Sequence, residues 1–258
     1  MSIRYESKEP VSLDKFLNKV NYEQTKAEKF YVKAKALFMQ AMYKEAVPNF
    51  LSCIMLERTN IAAYLELAEA YKNLEEYEKA VDILERAKLI EPDNPKIYLE
   101  LGSAYNLIEV HSLALENIQK SIMLDKDNPS AKLQLAVTHE LCGEYDMALK
   151  IYETIIAVHT DFIPALQNEA ALLLDLDMYK DAANCFRRIL KINPDFYKAY
   201  LGIAVCFDNL QMFASALRYY RKFLQKKPKS KSAPDIISRV AKIKNFLKCA
   251  PKNHLELC

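Results

Sequence analysis

The chain repeats itself every 34 residues without an insertion, and six copies fit, at 27–60, 61–94, 95–128, 129–162, 163–196 and 197–230. Position 20 of every copy is alanine: Ala46, Ala80, Ala114, Ala148, Ala182 and Ala216. Alanine is about one residue in nine of this chain, so a six-fold column in one register has a chance probability on the order of 10⁻⁶. Position 8 is always small (Ala34, Ala68, Gly102, Ala136, Ala170, Ala204), whereas position 24 is large (Phe50, Leu84, Ile118, Tyr152, Phe186, Tyr220). Two short helices per copy explain this pattern, crossing closely where the small residues lie while bulky side chains fill the gap opposite. Such a hairpin leaves an apolar face uncovered, and stacking the next copy covers it, which predicts an all-α solenoid with a continuous core. The punctuation agrees. Pro92, Pro194 and Pro228 recur at position 32, where proline ends the second helix, and Asp93-Asn94-Pro95 and Asp127-Asn128-Pro129 supply turn and start chemistry for the next copy.

Composition removes the competing classes. Only three glycines occur in 258 residues, far below the usual share of about 7%, which disfavours glycine-bearing dinucleotide folds, phosphate-binding loops and turn-rich sheets. With 51% hydrophobic and 27% charged residues the chain has the make-up of a folded protein, not a disordered one. Its longest apolar run, residues 201–207, is far shorter than the ~18 residues a membrane-spanning helix needs. Glu6 stands where a secretory leader would be apolar, so a cytoplasmic location is expected. Cys53, Cys142, Cys185, Cys206, Cys249 and Cys258 form no C-x-x-C pair, which points away from disulfides and zinc.

Both ends read as caps. In residues 1–26, Leu13, Phe16, Leu17 and Val20 follow helical spacing behind Ser12, and Thr25 with Glu28 matches a capping box. This segment is expected to cover the first copy; the sharper alternative is an arm that blocks the groove. In residues 231–258, Pro234 and Asp235 open a final helix with Ile236, Val240, Ile243 and Leu247 on one face. The other face is basic. Residues 221–258 carry 11 Lys and Arg against Asp235 and Glu256, so nucleic acid or an anionic surface is a possible partner through Lys226, Lys227, Lys229 and Lys231. A solvated capping helix is preferred, because only Phe223 and Phe246 are interleaved with those lysines.

No catalytic constellation emerges. His139 and Cys142 share an i, i+3 spacing without an orienting group, and His111, His159 and His254 have no metal-ligand pairing. Acidic residues such as Glu75 and Glu76 read as solvated partners of Lys79. The expectation is a protein without enzymatic activity, metal or cofactor.

The second copy, with Tyr64, Leu67, Ala68, Tyr71, Ala80, Leu84, Ala87 and Pro92, resembles the tetratricopeptide repeat family, and the third and sixth copies follow closely. The fifth departs with Glu169 at position 7. The resemblance implies a right-handed superhelix used for protein recognition, its inner groove lined by positions 2, 5, 9, 12 and 13 of each first helix. Position 5 reads Tyr31, Leu65, Leu99, Leu133, Gln167 and Leu201, a largely apolar track. Lys35, Glu69 and Ser103 stand at position 9, and Lys72, Lys96, Glu140, Lys198 and Asp208 add flanking charge. The carboxylate clamp of some members is not matched: Asn168 and Lys198 fit, but Val137 and Gly202 stand where an amide and an arginine belong, so an EEVD-type tail is not the expected ligand. The function read from these features is an adaptor, scaffold or chaperone-like module gripping an apolar-anchored peptide or helix of another protein. The alternatives are a nucleic-acid-associated repeat protein and a regulatory subunit of an enzyme on another chain.

Overall fold

A computed structural model of the chain describes residues 26–249. The apolar spacing of Leu13 to Val20, Thr25 of the capping box, and His254, Glu256 and Cys258 lie outside them. The described residues form thirteen α-helices and no strands. They divide into two compact units at Cys142–Gly143, inside the turn of the fourth copy.

The first unit holds α1 (Lys26–Met39) and α2 (Tyr43–Leu56), α3 (Ile61–Asn73) and α4 (Tyr77–Ile90), α5 (Pro95–Leu107) and α6 (His111–Leu124), and α7 (Pro129–Leu141). Each pair is one copy of the repeat, and each helix packs on its chain neighbours, so the hairpins stack in sequence order. The position-20 alanines are fully buried, as are Ala34, Phe50, Ala68 and Leu84. Small does face large: a β-carbon added to Gly102 would lie 2.3 Å from Cγ1 of Ile118. The helix starts follow from the asparagines at position 34. Asn60, Asn94 and Asn128 accept hydrogen bonds from the amides of Ala63, Lys96 and Ser130, and each donates its own amide to an acidic residue three positions earlier, Glu57, Glu91 or Asp125. One apolar row does not join the core. At position 29, near the ends of α2, α4 and α6, Met55, Leu89 and Met123 are 79%, 82% and 69% exposed.

The second unit holds α8 (Tyr145–Val158), α9 (Ile163–Asp175) and α10 (Tyr179–Ile192), α11 (Tyr197–Asn209) and α12 (Phe213–Lys226), and a last helix α13 (Ala233–Cys249). Its copies begin differently, with Phe162 and Phe196 at position 34 and no side-chain cap on α9 or α11. The bulk at position 24 also reaches further than expected, since the Phe186 ring lies 2.4 Å from where a β-carbon on Gly202 of the next copy would sit. Ile236, Val240 and Ile243 of α13 are buried against α11 and α12, with Leu247 packed beside them, as the spacing predicts. Arg239 fastens the helix by donating to both carboxylate oxygens of Asp208 on α11, at 2.8 and 2.6 Å, and Tyr220 donates to the same carboxylate.

A second periodic feature sits in the hairpin turns. Ala41, Glu75, Glu109, Gly143, Asp177 and Gln211 all have φ between 57° and 76°, one per copy, at position 15. After Ala41, Glu75, Glu109, Asp177 and Gln211 the next amide donates back to a carbonyl five residues earlier, as from Glu76 to Tyr71 and from Val110 to Tyr105, which satisfies groups the helix end leaves open. A left-handed backbone suits glycine, yet five of the six turns carry a side chain there, at a cost of about 1–2 kcal/mol each that the surrounding packing must offset. Opposite outcomes are therefore expected from two substitutions. Glu109→Gly should stabilise the chain by about 0.5–1 kcal/mol, whereas Gly102→Ala should cost about 1–3 kcal/mol by forcing Ile118 aside, both read from urea unfolding midpoints.

Candidate functional site

The residues singled out by the repeat register lie on the first helices of the copies. In the first unit, Tyr31 and Lys35 are on α1, Leu65, Glu69 and Lys72 on α3, Lys96, Leu99 and Ser103 on α5, and Leu133 and Glu140 on α7. Leu65, Leu99 and Leu133 are half-buried, part of each side chain serving the core and part remaining at the surface. Polar groups beside them form rungs from one first helix to the next. Tyr31 and Lys35 both donate to Oε1 of Glu66, at 3.1 and 2.9 Å. Lys72 sits between Glu100 of the next copy and Glu69 of its own, 2.6 Å from each. Asn106 donates to the hydroxyl of Thr138 at 2.8 Å and its carbonyl oxygen lies 3.3 Å from Nδ1 of His111.

These rungs change what the charges can do. Lys72 keeps only 11% of its side chain exposed; burial opposes its charge, but Glu100 and Glu69 more than compensate and hold the ammonium above the usual lysine range. Lys35 and Lys72 are thus engaged by the repeat stack, and Glu66 and Glu100 are the partners that reading the sequence passed over. Their signal was available: both stand at position 6, immediately after the position-5 track. Within the two rungs three carboxylates meet two ammoniums, a surplus of one negative charge among the groups that bridge α1, α3 and α5.

In the second unit, Gln167 lies half-buried on α9, and on α11 Leu201 is half-buried and Lys198 exposed. Asp208 is engaged elsewhere, its carboxyl held below the ordinary aspartate range by Arg239 and Tyr220 against the opposing effect of burial. Gly202 presents no side chain and has no room for one beside Phe186.

The buried thiols and the buried carboxyl outside this face belong to packing. Burial raises the thiols of Cys53, Cys185 and Cys206, the last to about 11, so these sulfurs stay protonated and unreactive. Cys185 donates to Glu169 at 3.0 Å, which explains how a carboxyl occupies a position that is leucine or isoleucine in the second, third, fourth and sixth copies. Among the described residues no group of three or more His, Cys, Asp and Glu side chains could hold a metal ion. None of their helices is long and apolar enough to cross a membrane. Burial raises the Glu169 carboxyl above its unfolded value despite the Cys185 hydrogen bond. The sign follows: the stability tied to its proton is complete below about pH 4.5 and is lost as pH rises through the folded value. Glu169→Gln should therefore raise the melting temperature at pH 7 by a few degrees, the gain shrinking toward pH 4 in parallel melting curves.

Stacked helix hairpins with interlocked small and large columns define a helical repeat protein of the protein-interaction class. Tetratricopeptide repeat models match residues 37–102, 133–162 and 168–231, together well over half of the chain. The chain belongs to the tetratricopeptide repeat family, whose members are generally non-catalytic scaffolds that bind proteins. No curated protein matches by sequence. Among solved structures, PilW, a type IV pilus biogenesis factor, is similar over 83% of this chain and 99% of its own, with 17% identity and a TM-score of 0.71. A tetratricopeptide repeat protein from Parabacteroides merdae aligns over 90% of this chain and 91% of its own at 15% identity and a TM-score of 0.68. YrrB, described as a TPR protein with an unusual peptide-binding site, aligns over 73% of this chain and 97% of its own at 16% identity and a TM-score of 0.52.

Proposed function

We propose that the chain is a non-enzymatic adaptor or chaperone-like module whose first-helix face holds an extended or helical segment of a partner protein by apolar anchors. The observation that carries the reading is the spacing of Leu65, Leu99 and Leu133, each half-buried and one copy apart on α3, α5 and α7. Partly exposed leucines at a fixed interval suit a ligand with apolar side chains at a matching interval. The rungs Tyr31–Lys35–Glu66 and Glu69–Lys72–Glu100 supply rigidity, so little side-chain entropy remains to be lost on binding. Their excess of carboxylate favours a ligand that brings a lysine or arginine beside its apolar anchors. A terminal carboxylate is not the proposed anchor, since Val137 and Gly202 offer it no donor. The peptide-binding role named for YrrB is consistent with this reading.

Selection of a random peptide library on the folded chain tests it. Enriched peptides should carry spaced apolar residues with a basic neighbour. They should bind at least tenfold more weakly to a variant with Leu65→Ser, Leu99→Ser and Leu133→Ser that retains the wild-type circular dichroism spectrum. Equal binding by that variant would remove this face from consideration. Should the triple variant unfold, Leu99→Lys alone supplies the same comparison, because it keeps an aliphatic stem and places a positive charge against the basic ligand.

A further inference from the structure

Along the chain, the basic stretch 218–231 bears seven cationic side chains and no carboxylate; of its three rings Tyr220 and Phe223 are buried and only Tyr219 reaches the surface. Folding supplies two more. The packing of α11 against α12 brings Tyr197 and Tyr200 beside Tyr219 and the lysines. Lys227 Nζ lies 4.9 Å from the Tyr197 ring centre; Lys222 Nζ lies 5.6 Å from Tyr200 and 5.5 Å from Tyr219; Lys226 Nζ lies 5.9 Å from Tyr200. The Tyr200 and Tyr219 rings are 6.5 Å apart, inclined by 34°, and the Phe207 ring backs Tyr219 at 5.7 Å. All three tyrosines are half-buried, fixed in place yet accessible. Of the nearby carboxylates, Asp195 is paired with Lys226 and Asp208 with Arg239.

We infer that this face of the second unit binds single-stranded nucleic acid, its lysines taking the phosphates and its tyrosine rings stacking the bases. An ammonium resting on a tyrosine at an exposed site is a weak contact. A nucleotide improves both partners at once, because the phosphate offers the lysine a full charge and the base offers the ring a flat surface of its own size. An acidic peptide supplies the charge but no rings. A lipid surface also supplies charge, but it offers the rings no flat partner on which to stack. The surface is distinct from the leucine row of the first unit, so the two readings stand or fall separately.

Fluorescence anisotropy on the full chain tests the inference, with labelled oligouridylate and oligothymidylate about 15 nucleotides long as the RNA and DNA probes. Polyglutamate of matched charge and vesicles containing phosphatidylserine are the competitors. The expected result is saturable binding to at least one oligonucleotide, weakening with salt at about 0.7 log units per log unit of salt for each phosphate engaged. Replacing Tyr200 and Tyr219 by leucine should weaken it about tenfold or more with helicity retained. Lys222→Gln with Lys226→Gln should flatten the salt dependence, and it provides the test should the leucine variant unfold. No binding at about 50 mM salt, affinity unchanged in both variants, or stronger capture by polyglutamate or vesicles than by either oligonucleotide would overturn it.

Discussion

Everything in this molecule depends on two helices approaching each other closely enough that one residue must be small and the residue opposite must be large. A 34-residue hairpin cannot bury its own apolar surface, and with only about 14 residues per helix it has little stability of its own. The alanine column at position 20 and the small column at position 8 let the helices meet, and the surface left over can be covered only by the next hairpin. Gly102 beneath Ile118 and Gly202 beneath Phe186 mark two close approaches where even one methyl group has no room.

The same stacking decides what remains for binding. Residues turned toward a neighbouring copy are spent on packing, and charged residues between successive first helices are spent on one another. Lys72, Lys35 and Asp208 illustrate this, each engaged by groups 28 to 31 residues away along the chain. What such a surface offers a ligand is therefore a fixed arrangement of partly exposed leucines with a small surplus of carboxylate, and not a set of free charges.

The repeat period, the hairpin architecture and the terminal helix were legible in the sequence because each depends on residue types that recur in register: alanine at position 20, asparagine at the helix starts, aliphatic residues at 236, 240 and 243. The left-handed turns were not legible, since only Gly143 carries the residue type that announces them and the other five positions hold alanine, glutamate, aspartate or glutamine. Glu66 and Glu100 escaped notice because an acidic residue on an exposed helical face is usually solvated, and nothing local distinguishes one that meets a lysine of the adjacent copy. Tyr197 and Tyr200 were overlooked for a related reason. They precede the basic stretch by a whole helix, and only the pairing of α11 with α12 brings ring and charge together.

The exposed row at the ends of α2, α4 and α6 has a chemical consequence. Met55 and Met123, together with Met39, hold their thioethers outside the core, at 79%, 69% and 72% exposure. Oxidation to the sulfoxide at these sites would turn apolar surface polar while leaving every stacked hairpin intact. A mild oxidant would thus reach the outer skin of the first unit long before it threatened the fold, and methionine sulfoxide reductases could reverse the change without the chain ever opening.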